Sequence, residues 1–176
     1  MSSKMVGVIG GVGPGATATF YWDVVRQYAA RRGGNQPALV MYSVPMEAQI
    51  ERAMLHEGVT AGPEVDRLLA MLEEGVQRLA RAGVDAIAMP CNTLQAYLPE
   101  IVARAGLPYI SLIAETVNAL KCRGCEQVAV ICTTPMRALG LYQAELAAQS
   151  VAYCLPTNAE QAEVTQAILE TLHPSP

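Results

Sequence analysis

Short apolar runs alternate with longer stretches of helical periodicity along the chain, and that alternation predicts its elements. Residues 5–9 make a first strand, and 16–30 repeat their apolar positions at helical spacing until Gly33-Gly34 stops them. Residues 38–44 suit a second strand closed by Pro45, followed by a short helix over 47–54 and a loop over 58–63. Across 64–82, Val65, Leu68, Leu69, Leu72, Val76 and Leu79 fall on one helical stripe, which Gly83 ends. A third strand is predicted over 85–89, a helix over 94–105, a brief fourth strand over 109–112 and a helix over 114–121. Strand 128–132, helix 136–149, strand 151–155 and helix 158–172 complete the series. Such alternation predicts an α/β fold with a mainly parallel sheet and helices on both faces. No repeat, low-complexity tract or long linker interrupts it. Two sets of β-α units meet near residues 111–115, which divides the chain into a first lobe over 1–112 and a second over 113–176.

Composition narrows the possibilities. Hydrophobic residues make up 52% of the chain and charged ones 16%, enough for a real core and too apolar for disorder. One Phe and one Trp leave that core to aliphatic side chains. The net charge is −4 and Arg31-Arg32 is the densest basic run, so no nucleic-acid partner is expected. The apolar run at 5–9 is too short for a secretory core or a membrane span, which predicts a cytoplasmic protein with no membrane partner. Five cysteines, an odd number, argue against a disulfide framework. Cys122-Arg123-Gly124-Cys125 has no second pair at zinc spacing and reads as two turn cysteines, so no metal is expected.

Candidate chemistry concentrates at two turns. The strand at 85–89 runs into Pro90-Cys91-Asn92-Thr93, which sets one thiol at the carboxyl end of a strand and the start of a helix. Open α/β sheets bind ligands at that edge, and a helix N-terminus is expected to pull the thiol below its free value of about 8.5. Asn92 and Thr93 add polar groups able to hold a carboxylate. Equally, Cys91 suits a buried structural position. The second turn, Gly10-Gly11-Val12-Gly13-Pro14-Gly15-Ala16-Thr17, follows the first strand. It satisfies a dinucleotide fingerprint in form, but the second strand ends in Tyr42-Ser43-Val44-Pro45 without the expected acid. A nest of backbone N–H groups for an anion and a purely structural tight turn both remain open.

Taken together, the two turns, the closing Tyr42-Ser43-Val44-Pro45 and the later Gly140-Leu141-Tyr142 resemble the aspartate/glutamate racemase family over essentially the whole chain. That resemblance implies two pseudo-symmetric α/β lobes with the active site between them. It implies proton transfer at the α-carbon of aspartate or glutamate, with no pyridoxal phosphate, no other cofactor and no metal. Two cysteines would act from opposite faces of the substrate. Cys91 matches the first of them. Asn92 and Thr93 would contact the substrate carboxylate, with Gly11, Gly13 and Thr17 lining the same pocket. Arg52 stands near the place of a distal-carboxylate ligand and equally suits an ordinary solvated helix position, and Thr133 and Thr134 follow a strand end as further substrate contacts.

The chain also departs from the family pattern. The second cysteine belongs to a Gly-Cys-Thr-Glu motif, which is absent from these residues; Cys132 and Cys154 stand in other contexts. Gln95 replaces a frequent His, and Met136 a frequent Thr. A lone catalytic thiol predicts α-proton exchange with little racemisation. The second lobe is expected to be incomplete, its apolar surface covered in a homodimer, and Pro174-Ser175-Pro176 to stop the last helix. Two other readings stay open. One is a related enzyme of the hydantoin racemase, maleate isomerase or arylmalonate decarboxylase type. The other is a non-enzymatic relative that binds small carboxylates.

Overall fold

The computed structural model describes residues 4–54 and 60–172. The expected stop at Pro174-Ser175-Pro176 and the start of the loop predicted over 58–63 lie outside them. Strand β1 (Met5–Gly10) leads into helix α1 (Pro14–Arg31), β2 (Ala38–Ser43), the short α2 (Ala48–Arg52) and α3 (Pro63–Arg81). Then come β3 (Ala86–Ala88), a 3-10 turn (Thr93–Ala96), α4 (Leu98–Arg104) and β4 (Tyr109–Ile110). Beyond them lie α5 (Leu112–Cys122), β5 (Gln127–Ala129), α6 (Thr134–Leu139), α7 (Leu141–Ala148), β6 (Ala152–Cys154) and α8 (Asn158–Leu172). One sheet has the order β2-β1-β3-β4 and a second pairs β5 with β6. Every one of these pairings is parallel, as β-α alternation requires. Among the described residues, no helix is long and apolar enough to cross a membrane.

The four-stranded sheet owes its solidity to α3. Val65, Leu68, Leu72, Val76 and Leu79 are buried along its predicted stripe and pack on Ile9, Val84 and Ile87. Gly75 lies on the same face because a Cβ there would come 2.7 Å from the Tyr42 ring. The missing side chain brings the helix against β2, which offsets the roughly 1 kcal/mol by which Gly disfavours a helix interior. The two-stranded sheet has a smaller core of Val117, Val130, Leu146 and Val151, and α5 joins it through Val117. Ser111 caps α5 by accepting a hydrogen bond from the Ala114 amide at 3.2 Å.

Three of the differences from the sequence expectation bear on the site. The helix predicted over 94–105 is split: a 3-10 turn closed by Gln95 N–H to Asn92 O and Tyr97 N–H to Leu94 O precedes α4. Pro99 supplies the reason, since it has no N–H to donate back along a continuous helix and belongs in a first turn. The helix predicted over 136–149 breaks at Gly140, whose φ of 66° ends α6 and opens α7. Strand β5 stops at Ala129, which leaves Cys132 in a loop rather than on the strand.

Candidate functional site

The central strands β1 and β3 are neighbours, so the turns that follow them share the carboxyl edge of the first sheet. The loop after β5 faces them from the second lobe. Together they enclose a cleft of about 650 Å³, to which the first lobe contributes Gly13, Glu51, Cys91, Asn92 and Thr93. The second lobe contributes Cys132, Thr133, Met136 and Tyr142, with an aliphatic wall that includes Leu120, Val130, Leu146 and Ile168. One thiol from each lobe therefore lines one space. The Tyr142 hydroxyl donates to Asn92 Oδ1 at 2.8 Å and ties the lobes together at the mouth. A second concavity, of about 770 Å³, runs along the outer face of α1 and contains no thiol.

Gln95 holds the Cys91 turn in place. Its buried Nε2 donates to the carbonyls of Met89 (3.0 Å) and Cys91 (2.9 Å). Its Oε1 accepts from the Tyr109 hydroxyl and from the Leu112 amide (3.2 Å). Both donors and both acceptor positions of the amide are used, so the turn is anchored to β4 and the start of α5. Across the cleft, Gln161 Nε2 donates to the Cys132 carbonyl at 2.8 Å. Thr133 is 7% exposed, and its Oγ1 is buried without a hydrogen-bond partner.

Electrostatics corrects one expectation. Burial pushes the Cys91 thiol above its ordinary value, and the Glu51 carboxylate adds to the rise. The backbone N–H groups of Leu94 and Thr93 pull the other way but do not prevail. Splitting the helix explains this, because a single 3-10 turn offers little of the dipole that a long helix would present to the sulfur. Burial also raises Cys132, against the opposing pull of Arg137. The Tyr109 hydroxyl is pushed up by burial and by the nearby Cys91.

The sequence profile of the Asp/Glu/hydantoin racemases matches residues 9–175. The chain belongs to that family. The broad-specificity amino-acid racemase RacX of Bacillus subtilis (strain 168) is 27% identical over 143 residues, which are 79% of this chain and 59% of that protein. The chain thus spans less than two thirds of that relative. The aspartate racemase of Picrophilus torridus has a TM-score of 0.77 and 24% identity, over 98% of this chain and 69% of that one. An aspartate racemase homologue from Pyrococcus horikoshii has a TM-score of 0.73 and 21% identity, over 95% and 70%. At these identities the two structures establish a racemase fold.

Of the residues singled out from sequence, this racemase-family chain brings Gly13, Cys91, Asn92, Thr93 and Thr133 to the cleft. Gly11 and Thr17 serve the turn instead. The Gly11 amide donates to Thr17 Oγ1 at 3.2 Å, and that hydroxyl donates to the Gly13 carbonyl at 3.1 Å. With φ of 87° and a would-be Cβ 2.7 Å from the Val44 carbonyl oxygen, position 11 admits only glycine. Thr134 faces α8, where its amide and hydroxyl meet Thr165 Oγ1 at 3.0 and 2.9 Å. Arg52 is exposed on α2 and does not line the cleft; Glu51 does. The helix sets this, since Ile50 is committed to the core and each residue advances about 100°. Glu51 carried no motif signal, and Gln95 was noted only as a departure. Tyr142 was visible as part of Gly140-Leu141-Tyr142. Among the described residues, no three His, Cys, Asp or Glu side chains converge as a metal site.

Proposed function

We propose that this chain is a cofactor-independent amino-acid racemase in which Cys91 exchanges the proton on the substrate's α-carbon. The observation that carries the reading is the pair of thiols, Cys91 and Cys132, lining one cleft from two lobes. The Cys91 thiolate takes the α-proton, so that an S–H bond forms as the C–H bond breaks and the electron pair moves onto the substrate carboxylate. Asn92, Thr93 and the unpartnered Thr133 hydroxyl are the donors suited to that growing charge. Cys132 then gives its S–H proton to the other face of the carbon and is left as the thiolate. The opposite enantiomer reacts by the reverse sequence. A reducing cytoplasm suits this chemistry, because the thiols must stay free.

The test is to incubate each enantiomer of a panel of amino acids in D2O with the protein, following α-deuterium by NMR and enantiomer ratio by chiral chromatography. Cys91→Ala should lose more than 99% of exchange from the enantiomer it serves. Cys132→Ala should keep exchange with retention and lose inversion. Racemisation that survives Cys91→Ala overturns the proposal.

A further inference from the structure

Each cleft thiol is held through its own backbone by a buried glutamine. Glutamine is mostly a surface residue. Among the described residues the buried polar side chains are Thr17, Thr93, Gln95, Thr133 and Gln161. Both glutamines of that set reach a cleft cysteine. Gln95 Nε2 donates to the Cys91 carbonyl at 2.9 Å, and Gln161 Nε2 donates to the Cys132 carbonyl at 2.8 Å. The rest of each amide is anchored as well. Gln95 Oε1 accepts from the Tyr109 hydroxyl and from the Leu112 amide at the start of α5. Gln161 Oε1 accepts from Arg137 Nη1 at 3.2 Å, and its Nε2 also donates to Thr165 Oγ1 at 3.2 Å. The two supports differ in origin. Gln95 lies 4 residues beyond Cys91 in the 3-10 turn, whereas Gln161 comes from α8, 29 residues beyond Cys132. Strand β5 has ended before Cys132 and Ile131 is 67% exposed, so the Cys132 loop takes its place from α8.

A hydrogen bond to a cysteine's carbonyl bears on its sulfur. It fixes the peptide plane beyond the α-carbon, and with that plane the direction of the Cα–Cβ bond, so that the sulfur keeps only its staggered χ1 wells. A buried carbonyl left without a partner is costly, so the plane resists rotation. We propose that Gln95 and Gln161 are a matched pair of positioning residues, each setting one cleft thiol through that cysteine's own carbonyl. This rests on the racemase reading for its reaction, in which the pair holds each sulfur at its own face of the α-carbon, but the hold itself is measured without turnover. Each glutamine acts on its own thiol and not on the other. Removing one admits water to its turn, which relieves the burial that raises that sulfur and moves its titration down toward the ordinary thiol range. Glu51 and Tyr109 act on Cys91 as well, and Arg137 and Tyr142 lie by Cys132. Arg137 keeps its bonds to the Pro156 carbonyl and Asn158 when Gln161 is replaced.

The full chain is compared with Gln95→Met, Gln161→Met and Ser111→Ala. Methionine keeps the length of the side chain and removes its hydrogen bonds. Ser111→Ala removes the cap of α5, leaves both glutamines in place and controls for lost stability alone. Iodoacetamide labelling, mapped by peptide from about pH 6 to 10, reads the thiols. Gln95→Met should shift the Cys91 profile to lower pH and leave that of Cys132 in place, and Gln161→Met should do the converse. In D2O, Gln95→Met should slow α-proton exchange from the enantiomer that Cys91 serves by about tenfold or more, in kcat rather than KM. Gln161→Met should spare that exchange and slow inversion by a similar factor. Circular dichroism checks that each variant is folded. Gln95→Asn and Gln161→Asn, whose amides fall one methylene short of the carbonyl, should give the same thiol-by-thiol pattern and carry the test where methionine unfolds the chain. Both profiles moving together, neither moving, or Ser111→Ala moving them equally overturns the proposal. Shifts that leave kcat untouched in a chain that exchanges make the glutamines merely structural and overturn it as well. Thiol-specific shifts in a wild type without exchange defeat the racemase reading and leave the pair standing; exchange with unshifted profiles does the reverse.

Discussion

The two lobes present their thiols from very different supports. Cys91 sits on a four-stranded sheet whose core runs from Ile9 through the α3 stripe to Val102, and Gln95 pins its turn with four hydrogen bonds. Cys132 sits beside a two-stranded sheet. There β6 is exposed along its length, Ile131 is 67% exposed, and the buried core consists of Val117, Val130, Leu146 and Val151. The first lobe gives Cys91 an extensively packed support. The second is a lighter wall whose position relative to Cys91 depends on a few contacts, the Tyr142–Asn92 hydrogen bond among them. Precise placement is demanded of a base, since a misplacement of about 1 Å can cost roughly a hundredfold in rate.

Core truncation strains this contrast hardest. Leu68→Ala, at a fully buried position on α3, should cost about 2–5 kcal/mol of unfolding free energy and carry the whole molecule with it. Leu146→Ala, also buried, should fall at the low end of that range, because a small core beside exposed strands collapses more easily around a void. Denaturant titrations followed by Trp22 fluorescence and by far-ultraviolet circular dichroism would measure both. Equal losses would mean that the lobes fold as one unit.

A smaller effect concerns the thiols' reactivity. Both cleft cysteines have raised pKa values, so their reactive thiolates are scarce at neutral pH and become abundant only above the free thiol's value of about 8.5. The exposed Cys122 and Cys154 should therefore be alkylated by iodoacetamide ahead of Cys91 at pH 7, with Cys91 gaining as the pH rises. The linkage sign agrees. The fold favours the neutral thiols, so their contribution to stability is full below the unfolded value and is lost as pH climbs through the folded one. Peptide mapping across pH 6–10, a range chosen to bracket that value of about 8.5, checks this. Early labelling of Cys91 at pH 7 would mean that its turn, not its burial, controls the sulfur.

The smallest effect tests the tie between the lobes. Tyr142→Phe removes the hydroxyl that meets Asn92 and should cost about 0.5–1.5 kcal/mol at most. Its signature is local. Amide hydrogen exchange should quicken in α7 and in the loop after β5 while the α3 core stays protected. Uniform change across both lobes would mean that this contact does not hold the cleft.

Much of the fold was legible in the sequence because it is written locally. The α3 stripe and the parallel alternation both follow from periodicity within single elements. The split at Pro99 and the break at Gly140 carried signals in single residues, but a window of helical spacing passes over both. At the site, the turn after β3 was legible for the same local reason. Which residue of α2 meets the cleft was not, since Glu51 and Arg52 are adjacent and only the burial of Ile50 decides between them.

By itself the sequence determined the order of strands and helices, the glycine-rich turn after the first strand, and the presence of Cys91 where a strand gives way to a turn. These are properties of neighbouring residues, and local sterics and hydrogen bonding set them. Tertiary structure alone decided that Cys132 shares a space with Cys91, that Glu51 lines that space, and that Cys91 is raised rather than lowered. Each of those depends on groups far apart in the chain, and the sign of a pKa shift is settled by the sum of burial and charge around the sulfur.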